Sequence, residues 1–371
     1  MRVSVICTVL NEGESIRRLM DSLVAQSRQP DEIVIVDGGS RDNTVAVIQE
    51  YDDRLPLRVL VEPGANISRG RNVAIGAATG DVIASVDAGV WLEPVWLAEL
   101  VGPLESANQQ ISKSANQRIS DPVIRNPTPL RSGDYSPQSA IRNPTPLRSG
   151  DYSPQSSAGF FVPDTRTAFE IAMGATVLPT VDEIKPAGFL PSSRSVAYTK
   201  TAWAAAGGYP EWIDYCEDLI FDLRLLDAVG PFAWAPKAVA HFQPRGSLKA
   251  FAKQYYRYAR GDGKADLWRK RHLIRYATYL VALPGLVALS VFHSSGWWLV
   301  LLAGALFYCA APYRRLRPRL AELPLGSQLH AILLVPIIRL VGDVAKMLGY
   351  PTGWIWRLRN WERPEIHWRR A

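Results

Sequence analysis

The stretch DVIASVDAGVWL, residues 81–92, contains the strand end around which the rest of the sequence can be arranged. Its apolar run, residues 82–86, stops at the carboxylate of Asp87, and the chain continues with Ala88 and Gly89. A short apolar run bounded by polar residues and glycine is typical of a strand buried on both faces of a parallel sheet. Asp87 then lies at the carboxyl end of its strand, where open parallel sheets bind ligands.

Upstream of this strand, strand-like and helix-like segments alternate. Residues 3–8, 32–37 and 58–61 are apolar runs rich in β-branched residues. Between the first two, apolar side chains fall on one helical face, namely Ile16, Leu19, Met20 and Leu23. Ser68 is placed to cap a helix over residues 69–78. This alternation predicts an α/β fold with a mainly parallel sheet covered by helices.

Three of these strands end in polar residues at the same predicted edge of the sheet. The first continues into Asn11 and Glu12, the second into Asp37 and two glycines, and the fourth into Asp87. Carboxylates accept hydrogen bonds from a base or a ribose, and Arg71 in the segment ISRGRN can neutralise a diphosphate. Each segment alone is equally typical of a turn or a helix cap. Together they favour a nucleotide diphosphate as the ligand.

A repeat interrupts the globular sequence at residues 106–157. Residues 124–140 and 141–157 are the same 17-residue unit, except that Ala140 becomes Ser157. Each unit has three prolines and few apolar side chains, so it cannot bury enough surface to offset the entropy of ordering. We therefore predict a disordered surface insert, although a two-copy binding module is an alternative.

From residue 246 onward the sequence is typical of a membrane-associated chain. Residues 246–272 have one apolar and one basic helical face, as in a helix that lies at a lipid surface. A core helix with a solvated face is the alternative. Two uncharged apolar runs, residues 276–292 and 297–313, predict a pair of transmembrane helices within a membrane region at 273–371.

The charges around these runs predict their orientation. The four arginines at residues 314–319 place the loop after the second run on the cytoplasmic side. The N-terminal domain would then face the cytoplasm, with the chain spanning the cytoplasmic (inner) membrane more than once. A third apolar stretch, residues 329–348, contains Arg339, Asp343 and Lys346, which favours an interfacial segment over a third span.

The composition agrees with this arrangement. The 371 residues carry a net charge of +7 with a pI near 9.3, which suits phosphate-bearing ligands and anionic lipid head groups. We expect no nucleic acid among the partners. The three cysteines are scattered and form no CxxC pair, which favours a reducing compartment.

Five segments together resemble family 2 glycosyltransferases, which have the GT-A (nucleotide-diphospho-sugar transferase) fold. They are VICTVLNEGESI, EIVIVDGGSRDNT, SRGRNVAIGAATGDVIASVDAG, GGYPEWIDYCEDLIFDLRL and HFQPRGSL. The resemblance implies a nucleotide-sugar-binding half at residues 1–105 and an acceptor and catalytic half at 158–245. Bacterial membrane-associated members carry similar hydrophobic tails, whereas residues 106–157 have no counterpart in the family pattern.

The resemblance also implies roles for individual residues. Those that would bind the nucleotide sugar are Thr8, Asn11, Glu12, Asp37, Arg71 and Asp87. Asp37 would contact the base, and Asp87, the first carboxylate of the D-x-D motif, would face the ribose and a metal ion. Asp218 matches the catalytic base that takes the proton of an acceptor hydroxyl in an inverting transfer. His241 falls where some members have a further ligand for Mn²⁺ or Mg²⁺. The implied acceptor is a membrane-associated glycolipid or polysaccharide.

Two departures from the family pattern leave the metal open. Gly89 replaces the second carboxylate of D-x-D, and Gly38 stands where many members have another aspartate. Fewer oxygen ligands weaken a site for a hard divalent cation. Asp87 and His241 could still hold a metal with the diphosphate, or Arg69, Arg71 or Arg245 could neutralise the diphosphate instead. The third outcome is a domain that has lost catalysis.

The acidic pair Glu217-Asp218 has two interpretations. It follows the loop GGYPEW, whose Gly208 and Tyr209 could hold an acceptor, and this favours Asp218 as the base. Alternatively, the pair only caps the helix predicted over residues 219–226. For the whole protein, the alternative to a transferase is a non-catalytic membrane protein with a degenerate GT-A domain used for binding. A nucleotidyltransferase ranks third, because the segment after the first strand is acidic.

Overall fold

An open, eight-stranded mixed sheet forms the centre of the N-terminal part of the protein. The computed structural model describes residues 1–120 and 153–369, without the side chains of residues 110–120. Its strands are β1 (Val3–Val9), β2 (Glu32–Asp37), β3 (Leu57–Val61), β4 (Val82–Ser85), β5 (Val90–Leu92), β6 (Ser156–Pro163), β7 (Val196–Thr199) and β8 (Ala233–Phe242). The spatial order is β3-β2-β1-β4-β7-β6-β8-β5.

The predicted parallel part of the sheet is confirmed, and the remainder is mixed. Strands β3, β2, β1 and β4 run parallel, with β1 in the middle. Strand β7 is antiparallel to both β4 and β6, whereas β8 is parallel to β6 and antiparallel to β5. The carboxyl ends of β1, β2 and β4 therefore lie at one edge of the sheet, where the sequence predicts that their polar residues meet.

Helices cover both faces of this sheet. The helices are α1 (Arg17–Val24), α2 (Thr44–Gln49), α3 (Ile67–Ala77), α4 (Trp96–Ser120), α5 (Ala168–Val177), α6 (Lys200–Ala205), α7 (Glu217–Val229), α8 (Leu248–Ala265), α9 (Arg269–Ala277), α10 (Leu283–Phe292), α11 (Trp297–Leu316) and α12 (Leu325–Arg359). Alternate residues of a strand point to opposite faces. Thus Val5 and Cys7 pack with α1 and α4, while Ile6 packs on the side of α3 and α7.

Two local expectations differ from the structure. Helix α3 begins at Ile67 and is capped by Asn66, whose side chain accepts a hydrogen bond from the Arg69 amide, so Ser68 is not the cap. Helix α4 continues past residue 105 to Ser120, and β6 begins at Ser156, so both ends of the 106–157 segment are regular structure. Most of the repeat lies outside the described residues.

The C-terminal region contains two helical stretches that are long and apolar enough to cross a membrane. They are Arg269–Phe292, where one π-helical turn joins α9 to α10, and Trp297–Glu322. Both are largely exposed in the structure. By length and composition, these stretches are compatible with the two predicted transmembrane helices.

Helix α12 forms a close parallel seam with α8, an arrangement that the sequence analysis does not anticipate. A Cβ added at Gly349 would overlap the carbonyl oxygen of Tyr256, and one at Gly353 would overlap that of Arg260. Phe251 on the apolar face of α8 is buried against Gly342. The apolar face of residues 246–272 therefore lies against α12, rather than being free for a lipid surface. The third apolar stretch is part of this 35-residue helix.

Candidate functional site

A cleft of about 880 Å³ opens between the sheet domain and the C-terminal helices. Its walls come from the ends of α3 and β4, the start of α7, and the faces of α5, α8 and α12. The charged side chains that line it include Arg71, Asp87, Arg194, Asp218, Arg257 and Lys346. Apolar side chains from α5 and the loop before β7, such as Met173, Val177 and Leu190, line another part. The cleft thus offers both charged and apolar surface to a ligand.

Arg71 is the centre of a buried charge cluster. Its side chain is only 3% exposed, and its Nη2 lies 2.7 Å from Asp87 Oδ1 while its Nη1 lies 3.0 Å from Glu217 Oε1. The guanidinium carbon is 5.1 Å from the centre of the Tyr209 ring. Arginine suits this position because its planar fork can bind two carboxylates at once. It thereby joins the end of β4 to the start of α7.

Helix α7 presents the acidic pair. It begins at Glu217, two residues earlier than predicted, and the preceding Cys216 has a left-handed backbone with φ of 68°. Asp218 Oδ1 accepts a hydrogen bond from the Leu219 amide at 2.8 Å, so the carboxylate does satisfy one amide at the helix N-terminus. However, Asp218 also lines the cleft and is only half-buried. Asp218 can therefore cap α7 and also be available to a ligand in the cleft.

Burial and charge change the acidity of these carboxyl groups. Burial raises the pKa of Glu217 and of Asp218, and the positive charge of Arg71 only partly opposes it. Burial also acts to raise the pKa of Asp87, but Arg71 and Arg194 outweigh it and leave that pKa below its usual value. Asp87 is thus held as an anion, whereas the α7 carboxyls are stronger bases than an exposed aspartate.

One turn further along α7, Asp222 extends the acidic cluster into the core. It is 2% exposed, and no hydrogen-bond partner of its Oδ2 is found among the residues that the structure describes. Burial raises its pKa well above the usual value, and the nearby charge of Asp218 adds to this. Asp222 could not be identified from the sequence, because an acidic residue in a helix interior has no local signature.

The four residues predicted at the first two strand ends lie together at the expected edge. Asn11 has φ of 54°, and its Oδ1 accepts a hydrogen bond from the Arg41 amide at 2.9 Å. The Glu12 amide donates to Thr44 Oγ1, and Thr8 packs closely against α3 at Gly70.

The carboxylate of Asp37 has a local role in this edge. It accepts hydrogen bonds from the amides of Gly39 at 3.1 Å and Ser40 at 2.9 Å. The buried Asp37 therefore shapes the β2 turn, whatever else it binds.

Gly208 and Tyr209 were predicted to hold an acceptor, but the Tyr209 side chain is directed into the core. Gly208 has φ of 70°, and the Tyr209 side chain is 2% exposed beneath Arg71, stacked on Phe221 at 4.1 Å between ring centres. Asn72 fixes the loop by bonding both the amide and the carbonyl of Tyr209. A buried ring cannot contact an acceptor, so Tyr209 positions Arg71 instead. Glu217 is also largely buried, but unlike Tyr209 it lines the cleft next to Asp218.

The residues around Asp87 do not fit a divalent cation. Both oxygens of Asp87 face guanidinium groups, Oδ1 that of Arg71 and Oδ2 that of Arg194. His241 lies outside the cleft lining, with its Nε2 2.7 Å from Glu93 Oε1 and its ring stacked on Trp91 at 3.8 Å. No group of three or more His, Cys, Asp or Glu residues with metal-binding geometry occurs within residues 1–120 and 153–369. The structure does not bring His241 together with Asp87.

Arg194 is the functional candidate that the sequence analysis misses. It precedes β7, in a segment PSSRSV that matches no motif, and reaches Asp87 only because β7 pairs with β4. Its Nε is 3.4 Å from Asp87 Oδ2. Neither periodicity nor spacing could identify it, since an antiparallel partner strand is not predictable from the local sequence.

Comparison with known proteins is consistent with this geometry. Residues 4–166 match the family model "Glycosyl transferase family 2". This N-terminal stretch, a little under half of the chain, is similar to family 2 glycosyltransferases. The N-terminal sheet and this match together assign the GT-A fold, as the sequence resemblance implies.

Curated relatives match parts of the chain. A glycosyltransferase of Escherichia coli (strain K12) named YibD is 39% identical over 88 residues, covering 24% of this chain and 26% of that protein. The undecaprenyl-phosphate 4-deoxy-4-formamido-L-arabinose transferase of Serratia proteamaculans is 32% identical over 153 residues, covering 36% of this chain and 46% of that protein. The matches span about a quarter to a third of the length of the first three curated relatives.

Solved structures align with most of the chain at low identity. Staphylococcus aureus TarS 1-349 in complex with UDP-GlcNAc is 16% identical, with a TM-score of 0.43 over 98% of this chain and 93% of that one. The mannosyltransferase PcManGT of Pyrobaculum calidifontis, in complex with GDP-Man and Mn²⁺, is 14% identical, with a TM-score of 0.46 over 98% of this chain and 88% of that one.

Proposed function

We propose that the protein is an inverting glycosyltransferase that moves a sugar from a nucleotide-diphosphate donor to a membrane-associated glycolipid or polysaccharide. This proposal rests on one observation, namely that Asp218 and the charge cluster around Arg71 line the same cleft. An anionic Asp87, two arginines and a half-buried carboxylate of raised pKa face the same space. A GT-A domain that had lost catalysis would have no need to keep a costly buried cluster of this kind.

The donor would lie at the edge formed by β1, β2 and β4. Asn11, Glu12 and Asp37 surround the position of the nucleoside, and Asp87 faces the ribose and the diphosphate. This assignment follows the family resemblance, and it is supported by the convergence of these side chains at one sheet edge. UDP-GlcNAc and GDP-Man are the donors bound by the two structures named above.

Asp218 would act as the general base. It takes the proton of the acceptor hydroxyl while the hydroxyl oxygen bonds to the anomeric carbon and the bond from that carbon to the diphosphate breaks. Its raised pKa matches this task, because a carboxylate with a higher pKa binds the acceptor proton more strongly than an exposed aspartate does. The N-terminus of α7 favours the ionised form.

The acceptor would enter from the helical side of the cleft. There the lining changes from charged residues to Met173, Val177 and Leu190, next to basic Lys253 and Arg257. Apolar surface beside cations suits a lipid that carries phosphate. The name of the Serratia relative, undecaprenyl-phosphate 4-deoxy-4-formamido-L-arabinose transferase, combines a lipid phosphate with a sugar, which supports the same class of acceptor. We place the protein in the cytoplasmic membrane as a multi-pass protein, with the catalytic domain in the cytoplasm.

Turnover measurements test the proposal on the full-length protein in detergent. Release of the nucleoside diphosphate is followed with a panel of UDP-, GDP- and dTDP-sugars, with and without a polyprenyl phosphate or a membrane lipid extract. We expect one donor to give acceptor-dependent release. Asp218→Asn should slow it by about 10²- to 10⁴-fold, the usual contribution of a general base, without loss of donor binding.

Asp227→Asn is the matched control, because Asp227 lies on the exposed face of the same helix. Unchanged turnover in Asp218→Asn would refute the assigned base. Failure of every nucleoside diphosphate to bind would instead favour the alternative, a degenerate domain that only binds or scaffolds.

A further inference from the structure

Asp87 already has a cationic partner on the open side of the cleft. Arg71 approaches Asp87 from the core, and only 3% of its side chain is exposed. Arg194 lines the cleft, and 26% of its side chain is exposed. A divalent cation bound by Asp87 would have to lie on this open side, because the inner side is filled by Arg71. The guanidinium of Arg194 occupies that position.

The surroundings of Arg194 hold it there. Its guanidinium carbon lies 5.0 Å from the ring centre of Phe242 and 5.7 Å from that of Phe161. Cation–π contacts of this kind favour arginine over aromatic rings. Nη1 also donates to Ser192 Oγ at 3.0 Å. A partly open guanidinium fixed by two rings, a hydroxyl and a carboxylate is organised before any ligand arrives.

We infer that Arg194 takes the place of the divalent cation, so that the diphosphate of the donor is bound and neutralised by a guanidinium held on Asp87. The inference rests on the proposed function and defines how the same site works. Nε and Nη1 contact Asp87 and Ser192, and the second terminal nitrogen can add two donors for phosphate oxygens. Arginine is well suited to this, since its fork matches phosphate geometry.

The charge balance of the transfer supports this role. As the bond from the anomeric carbon to the diphosphate oxygen breaks, the electron pair remains on the leaving oxygen, and the acceptor proton passes to Asp218. Negative charge therefore grows on the diphosphate. A fixed positive group near it stabilises the transition state more than the ground state. Arg194 supplies that charge without a metal ion.

Gly89 provides an independent observation on the same point. A Cβ added at Gly89 would have no neighbour within 4 Å among the described residues, so there is room for a larger side chain. The missing second carboxylate is thus not excluded by packing. Its absence is expected if a guanidinium already neutralises the donor, because further acidic side chains would only repel the diphosphate.

Calorimetry with UDP, GDP and dTDP on the full-length protein tests the inference, in EDTA and in Mn²⁺. We expect one nucleotide to bind with the same affinity, within about twofold, in both buffers. Arg194→Gln should weaken binding at least tenfold in EDTA, and Arg194→Lys should restore part of it. Gly89→Asp is the complementary variant, and it should make binding stronger in Mn²⁺ than in EDTA.

The outcomes separate this inference from the proposed function. Wild-type binding that falls tenfold or more in EDTA overturns the role of Arg194 and leaves the transferase standing. Arg194→Gln that melts like wild type and binds equally well also overturns it. Absence of binding for all three nucleotides in both buffers overturns the transferase and, with it, this inference.

Discussion

Two close interfaces organise this protein, and they are stabilised in opposite ways. At the first, between the end of β4 and the start of α7, the buried Arg71 joins Asp87 to Glu217. At the second, between α8 and α12, glycines allow two helix backbones to touch, as Gly349 does at Tyr256. The first depends on matched charge, and the second depends on the absence of side chains.

The comparison shows where each interface is sensitive to change. A buried charge that loses its partner has no water to replace it, so the loss is large. A glycine contact tolerates changes in charge nearby, but not the addition of one carbon atom. The charged interface lies at the cleft, while the glycine interface supports the helices behind it.

Removal of Arg71 should have the largest effect on stability. Arg71→Ala leaves the buried Glu217 without its cation and leaves Asp87 with Arg194 alone, which should cost about 3–5 kcal/mol. Thermal melting in detergent measures this. Arg69→Ala is the control, because Arg69 is 52% exposed and pairs only at the surface. Equal melting temperatures for Arg71→Ala and wild type would mean that the cluster does not stabilise the fold.

A methyl group at Gly349 should have a smaller but clear effect. Gly349→Ala forces α12 away from the Tyr256 carbonyl, which should cost about 1–3 kcal/mol, as overpacking usually does. Gly326→Ala on the same helix meets nothing within 4 Å among the described residues and should be neutral or slightly stabilising. A melting temperature of Gly349→Ala that matches that of Gly326→Ala would contradict the close seam.

The smallest effect should be a change in how stability depends on pH. Because the folded-state pKa of Asp222 is raised, its protonated form is favoured in the folded protein. Its contribution to stability is complete below the ordinary aspartate pKa and is lost as the pH rises through the raised value. Asp222→Asn should therefore flatten the fall in melting temperature as the pH rises above the ordinary aspartate pKa of about 4. Asp227→Asn should leave the slope unchanged, and a similar slope in both variants would contradict the prediction.

The sequence was informative where local patterns and sheet topology coincide. The parallel half follows from apolar runs, and polar residues at the ends of β1, β2 and β4 must meet at one edge. Asp87 could thus be predicted from its strand end and Asp218 from the family resemblance, and both line the cleft. Their individual roles remain proposals.

Features that need a distant partner were not predictable. Arg194 reaches Asp87 through the antiparallel pairing of β7 with β4, for which the sequence gives no local sign. Tyr209 was expected near an acceptor, but its ring fills the space under Arg71, because an aromatic residue after two glycines fits either place. The seam between α8 and α12 was not predicted, because the close backbone contacts of the α12 glycines are visible only when both helices are in place.

The support of α7 by the last part of the chain has a consequence for protein synthesis. Ile213 and Ile220 flank the acidic pair and pack with Trp368, while Arg357 bonds the carbonyl of Lys264. At about 5–20 residues per second, the ribosome needs roughly 8 to 30 seconds to proceed from residue 218 to residue 368. Throughout that time the acidic pair of α7, Glu217 and Asp218, is made but lacks part of its packing. The nascent site is therefore among the last parts of the molecule to become rigid.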